Sequence, residues 1–376
     1  MRRLSCTVIL LSALFLTAEA FAGQYVLRVK GNQIVLNERP AKILGLRCSN
    51  ALTSEVKADE LIANLDGFKS YGVNTISVFL MGSRFGDIKG YRPDASLDPT
   101  YATRLGRIIE AADGRGMIVL VGCLYWSTST TKSDLGGWQQ TDANKAIHNT
   151  IQWLKDHNYR NVFVDVDNEG MAHHATGWSI SQMIDAAHDV DRTIMIAYND
   201  RDPAPANADL YIHLSPKVGG KPWLDSEATP TNAPGGYWGT YSKETNQKTS
   251  GRFYDYSRIG RYTLEMKSNQ YYQTRDGYEN YNGHMLASTW LQSAPGERLN
   301  GPFMTPGGRS NIADVNAGID NLHPDSGILW WLEYIKGRYG AWNPPPPLKP
   351  QAHQSVPSAG RALHAFRSNL RIEVQH

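Results

Sequence analysis

From Val26 to Leu36 apolar and polar residues alternate and then turn at Asn32, which predicts a short β-hairpin. Beyond Arg39-Pro40 the pattern changes. Short apolar runs of strand length recur between stretches whose apolar residues return every three or four positions, the signature of repeated βα units. The runs predict strands at Ile43–Arg47, Val73–Leu80, Met117–Val121, Val162–Val166, Thr193–Tyr198, Asp209–Leu214, Trp223–Ser226 and Met285–Trp290. Eight such strands predict an α/β fold, a closed (β/α)8 TIM barrel preceded by the hairpin. Among the intervening helices, Tyr101, Leu105, Ile108, Ile109 and Ala112 share one face, and Thr141 is placed to cap a helix whose Ile147, Ile151 and Leu154 share another. Asp255 opens a longer predicted helix running to about Arg275, and a last one spans Gly327–Tyr339 with Ile328, Trp331, Leu332 and Ile335 together. Only Ser215 to Lys221 separates the sixth strand from the seventh, too short for a crossover helix. A short connection must replace the helix there, or one strand is misplaced.

The two ends of the chain read differently from its middle. Arg2 and Arg3, an apolar run from Val8 to Leu16, and Ala20-Phe21-Ala22 before Gly23 form a secretion-signal pattern over residues 1–22, which implies a secreted or periplasmic protein. The apolar run is shorter than the roughly 20 residues needed to span a bilayer, so no membrane span is expected in the mature chain. Residues 23–342 are expected to form one domain, a size common for a single α/β barrel. After Trp342, Asn343 is followed by four prolines, so residues 343–376 are expected to be an extended, unpacked and mostly disordered tail.

Charge narrows the functional classes. Loss of the first 22 residues removes two arginines and Glu19, so the formal charge falls from +2 to +1. A near-neutral chain without basic runs is a poor nucleic-acid binder. Cys48 and Cys123 remain after processing; they follow strands that are not adjacent in sequence, and they read as two buried or semi-buried thiols.

The predicted fourth strand leads into Asn168-Glu169 and the seventh into Glu227. In a parallel barrel both tips lie on one rim, where two carboxylates can converge on one bond. Glycosidic cleavage needs one carboxylic acid to protonate the leaving oxygen and a second carboxylate to attack or to activate water. An ionised Glu227 is expected to raise the pKa of Glu169 and keep it protonated, with Asn168 beside it to hold a substrate hydroxyl. Asp165 and Asp167 share the strand parity of Glu169; they read as core acids paired with Arg47, although Asp167 competes for a catalytic role.

These features resemble a clan A glycoside hydrolase, most closely the family 5 cellulase-like group, from Val26 to about Tyr339. The resemblance rests on Val35-Leu36 and Arg39-Pro40 before Ile43-Leu-Gly45-Leu, on Gly72-Val-Asn74-Thr-Ile, on Arg115-Gly116-Met-Ile-Val-Leu, on Asn168-Glu169, on Lys221-Pro222 leading to Glu227, and on Trp290. It implies Glu169 as acid/base, Glu227 as nucleophile, a retaining hydrolase, and no cofactor. Three positions depart from the pattern: Ser77 stands where the second strand carries arginine, Ser215 ends a His-x-Tyr site, and Gly170 replaces proline after Asn-Glu. Tyr125, Trp126, Tyr198, Trp238 and Trp290 fall at predicted strand ends, where aromatic rings would stack on sugars. His213 is placed to bind substrate or to steer Glu227, and Arg47 joins the substrate-binding set. The expected partner is a polysaccharide or oligosaccharide. Two further readings compete: a carbohydrate-binding pseudoenzyme, suggested by Ser77 and Ser215, and a metal-dependent hydrolase using groups from Asp165 to His174. His173-His174 suggests a metal only superficially, since adjacent residues rarely hold one ion together; no metal is expected.

Overall fold

A computed structural model describes residues 23–49, 51–81, 88–126, 134–228, 264–286 and 329–349. Strands β1 (Leu27–Lys30), β2 (Gln33–Leu36) and β3 (Arg39–Pro40) form an antiparallel sheet, in the register Leu27 opposite Leu36 and Lys30 opposite Gln33. Gly31 takes the turn at φ +64°. The sheet lies across the N-terminal ends of the barrel strands. The Leu27 amide donates to the Arg160 carbonyl, and Leu27, Ile34 and Leu36 are buried.

The barrel is closed and parallel. Its strands are β4 (Ile43–Arg47), β5 (Thr75–Phe79), β6 (Ile118–Leu124), β7 (Val162–Asp167), β8 (Met195–Tyr198), β9 (Leu210–Ile212), β10 (Trp223–Ala228) and β11 (Gly283–Leu286), paired in sequence order with β11 closing on β4. β4 to β9 and β11 are buried along their whole length, as strands covered on both faces must be, which is why they read as continuous apolar runs. All eight predicted strands are present. The eighth starts two residues before the predicted Met285, and its predicted end, including Trp290, lies outside the described residues.

Helices are set by caps and by apolar spacing. Ser54 accepts from the Lys57 amide at the head of α1 (Glu55–Ser70), which buries Ala58, Leu61, Leu65 and Phe68. Asp98 caps α2 (Pro99–Asp113), whose first residue is proline. α3 (Gln140–Asp156) buries Ile147, Ile151 and Leu154 as predicted, but its cap is not Thr141. Gln139 and Asp142 form a reciprocal capping box, and Thr141 lies inside the first turn. α4 (Met171–Thr176) and α5 (Ile180–His188) follow β7, α6 (Leu264–Asn280) precedes β11, and α7 (Leu329–Tyr339) buries Trp331, Leu332 and Ile335. α6 runs past the predicted end at Arg275, and the predicted start at Asp255 lies outside the described residues. Between β9 and β10 there is no helix. A tight turn closed by the Ser215 amide on the Ile212 carbonyl at 3.0 Å takes its place.

Residues 343–349, the start of the expected tail, are extended and mostly exposed but are anchored by hydrogen bonds, and the rest of the tail lies outside the described residues. The Trp342 indole donates to the Gly116 carbonyl, Asn37 Nδ2 donates to the Pro346 carbonyl, and the Leu348 amide donates to the Gln24 carbonyl at 2.9 Å. Proline lacks only the amide; its carbonyl still accepts, so the extended segment lies against the hairpin rim. Among the described residues no helix is long and apolar enough to cross a membrane. Cys48 and Cys123 are buried free thiols.

Candidate active site

Glu169 leaves β7 through one 3-10 turn, Asn168–Gly170, in which Glu169 and Gly170 both adopt left-handed backbone at φ 56° and 62°. Non-glycine residues rarely take this conformation, and it costs on the order of 1–3 kcal/mol. The turn follows the end of β7, so Glu169 does not continue the strand parity that Asp165 and Asp167 share. Asp167 turns back to accept from the amides of Ala172 and His173 at 2.9 Å each, at the start of α4. Asp165 stays in the barrel core and accepts from Asn199 Nδ2 at 2.8 Å. Neither acid forms the expected ion pair with Arg47. Burial raises Asp165 to about 6 and Asp167 to about 7, partly offset by those hydrogen bonds.

Glu227 is aimed by a different irregularity. Asp225 pairs with His284 and Ala228 with Leu286, so β10 carries one extra residue, a β-bulge beside Glu227. Arg47 of β4 forms an ion pair with the Glu227 carboxylate and donates to Asn168 Oδ1 at 3.0 Å. Its guanidinium also lies over the Phe79 ring, 4.6 Å from the centroid, which fixes it in a dry setting. Ser77, where the family pattern has arginine, is the register neighbour of Arg47 on β5. The adjacent strand therefore supplies the guanidinium that the second strand lacks.

His213, at φ 48° just beyond β9, bridges Asp225 Oδ1 through Nδ1 and Glu169 Oε1 through Nε2, each at 3.3 Å. Its direct contact is with Glu169, and its charge also acts on Glu227. One oxygen of Glu169, one of Glu227 and a ring nitrogen of His213 lie within 4.8 Å of one another. Burial opposes charge on His213, but the hydrogen bonds to Asp225 and Glu169 and the charges of Glu169 and Glu227 outweigh it and raise the ring to about 10. For Glu169, burial pulls upward but the His213 contact and charge prevail, and its pKa falls to about 2. Burial and the Glu169 charge raise Glu227 to about 7 against the pull of Arg47. The His213 contact thus favours the anion on Glu169, a contact the sequence does not reveal.

Asn168 is fully buried, and its Nδ2 makes no hydrogen bond among the described residues. Tyr125 is buried edge-on against Phe79, and Trp126 is half-buried in a cluster with Trp138 and Trp178. Tyr198 is buried, with its hydroxyl donated to the Asp202 carbonyl at 3.1 Å. Trp290 and Trp238 lie outside the described residues. A cavity of about 300 Å³ beside Lys42, Trp223 and Tyr281 opens on the opposite, N-terminal rim and contains none of the predicted site residues.

No family model matches the chain, and neither does any curated protein. Solved structures do. The β-1,4-D-mannanase from Cryptopygus antarcticus is 13% identical over 70% of this chain and 88% of its own, with a TM-score of 0.43. A glycoside hydrolase family 5 protein from Bacteroides vulgatus is 14% identical over 77% and 66%, with a TM-score of 0.48. The β-mannanase of the blue mussel Mytilus edulis is 12% identical over 74% and 95%, with a TM-score of 0.44. The chain is similar to these proteins in its barrel, and at these scores the likeness carries no substrate with it.

Proposed function

We propose that this chain is a secreted glycoside hydrolase that cleaves a β-linked glycan with retention of configuration. The observation that carries the reading is the approach of the two carboxyl groups, with an oxygen of each within 4.8 Å. Retaining enzymes hold their pair about 5–5.5 Å apart, whereas inverting enzymes need roughly 6.5–9.5 Å to admit a water. In this reading Glu227 attacks the anomeric carbon while Glu169 protonates the departing oxygen; water then enters, gives its proton to Glu169 and releases the sugar from Glu227.

The pair shares one proton, and the productive arrangement needs it on Glu169. A sugar seated between the carboxyls displaces Glu169 from its 3.3 Å contact with His213, while Arg47 stays on Glu227 and favours the anion there. Asn168 Nδ2 is available to a substrate hydroxyl. The departures that suggest a pseudoenzyme have local answers: Arg47 replaces the missing arginine, and Ser215 Oγ donates to the Ile212 carbonyl at 2.7 Å. The signal-like residues 1–22 support export.

The test is a polysaccharide panel that includes β-mannan and β-glucan, followed with the mature protein and with Glu169→Gln and Glu227→Gln. Reducing ends are expected from the parent, with a loss of at least about a thousandfold in each variant at unchanged circular dichroism. Full turnover in either variant refutes the assignment, and glycan binding without cleavage by the parent favours the pseudoenzyme.

A further inference from the structure

The short helix after Glu169 brings together a second set of groups that the hydrolytic reading does not use. His173 and His174 of α4, and Asp200 and Asp202 of the loop after β8, each present one donor atom, and the four atoms lie within 4.8 Å of one another. His174 Nε2 is 2.9 Å from Asp200 Oδ1, and His173 Nε2 is 3.4 Å from Asp202 Oδ2. Two features point to a ligand beyond this mutual contact. Asp200 is completely buried, yet its Oδ2 has no hydrogen-bond partner among the described residues, an expensive state for a carboxylate oxygen. His173 Nδ1 lies 2.7 Å from the Trp178 carbonyl, which holds its proton there and leaves the lone pair on Nε2, as in histidines that bind metal.

We propose that His173, His174, Asp200 and Asp202 bind a zinc ion. Two imidazoles and two carboxylates are a four-ligand N2O2 set suited to tetrahedral Zn²⁺, whereas Ca²⁺ and Mg²⁺ take oxygen ligands only. Four protein ligands close the coordination sphere, so the ion is a clamp and not a reagent. It ties α4, which follows the strained Glu169-Gly170 turn, to the loop after β8. Glycine at 170 is part of the arrangement, because a Cβ there would come within 2.4 Å of the Asp200 carboxyl. The ion would offset the negative charge of Asp200, Asp202 and the neighbouring Asp167. The adjacency of the two histidines, which argued against a shared ion from sequence alone, is overcome by the loop acids that meet them.

The proposal does not depend on the glycan reading and is tested by binding alone. Chelator-stripped mature protein is titrated with zinc chloride by calorimetry and followed by thermal melting. One zinc per chain is expected, with a rise in Tm that calcium and magnesium do not produce. His173→Ala and Asp202→Ala, both at partly exposed positions, are expected to lose the calorimetric transition while retaining the metal-free Tm. Should a variant fail to fold, cobalt(II) loaded into the parent is the second measurement: strong visible absorption of a tetrahedral centre is expected. Absence of zinc binding by the parent, binding undiminished in folded variants, or a weak octahedral cobalt spectrum overturns the site.

Discussion

Glu169 and His213 face each other at 3.3 Å, and that contact governs the ionisation of the site. With Glu169 at about 2 and Glu227 at about 7, the pair carries a single proton across the interval between those values. Acid catalysis needs that proton, so kcat/KM is expected to hold through mildly acidic pH and to fall as pH rises through about 7, where the free enzyme loses it. His213→Ala removes a cation that favours both carboxylates. Both carboxyl pKa values then rise, and both limbs of the pH profile move to higher pH. Profiles of parent and variant that superimpose contradict this account. At this scale the sequence showed the two glutamates because each terminates a strand pattern. It did not show their partners: Arg47 lies 180 residues from Glu227 and His213 lies 44 from Glu169, and only barrel closure brings them together.

Two irregular elements aim the chemistry, and neither is visible as a periodicity. The left-handed turn at Glu169-Gly170 replaces the position where the family pattern has proline, and proline, fixed near φ −65°, cannot take the observed φ of 62°. Gly170→Ala adds backbone strain and brings a Cβ within 2.4 Å of Asp200. A loss of about 1–3 kcal/mol in stability is expected, read as a fall in Tm, together with a lower kcat because Glu169 moves with the turn. An unchanged Tm and kcat would show that the turn is not under strain. The same turn takes Glu169 out of the strand parity of Asp165 and Asp167, which an ideal strand would extend to it. The bulge in β10 likewise shifts the register beside Glu227, where a count of two residues per pleat would mislead. The cap read from the sequence, Thr141, falls inside the first turn of α3, because the glutamine at position 139 that caps the helix gives no strong signal as a cap.

For the molecule as a whole, the barrel was legible because a buried parallel strand must be apolar throughout and its covering helix apolar on one stripe, and the two patterns alternate down the chain. The anchoring of residues 343–349 was not legible, since proline content speaks to local conformation and not to the distant Gln24, Asn37 and Gly116 that hold the segment. Barrel closure is also what makes two carboxyl groups from β7 and β10 neighbours, and the proposed chemistry follows from their separation. The measurement that tests it most directly is proton NMR of the anomeric signals during the first minutes of hydrolysis of a β-linked oligosaccharide by the mature protein, before mutarotation. The β-anomer is expected to appear first and the α-anomer only later; an α-anomer formed first would mean single displacement by water and would contradict the assignment of Glu227 as nucleophile.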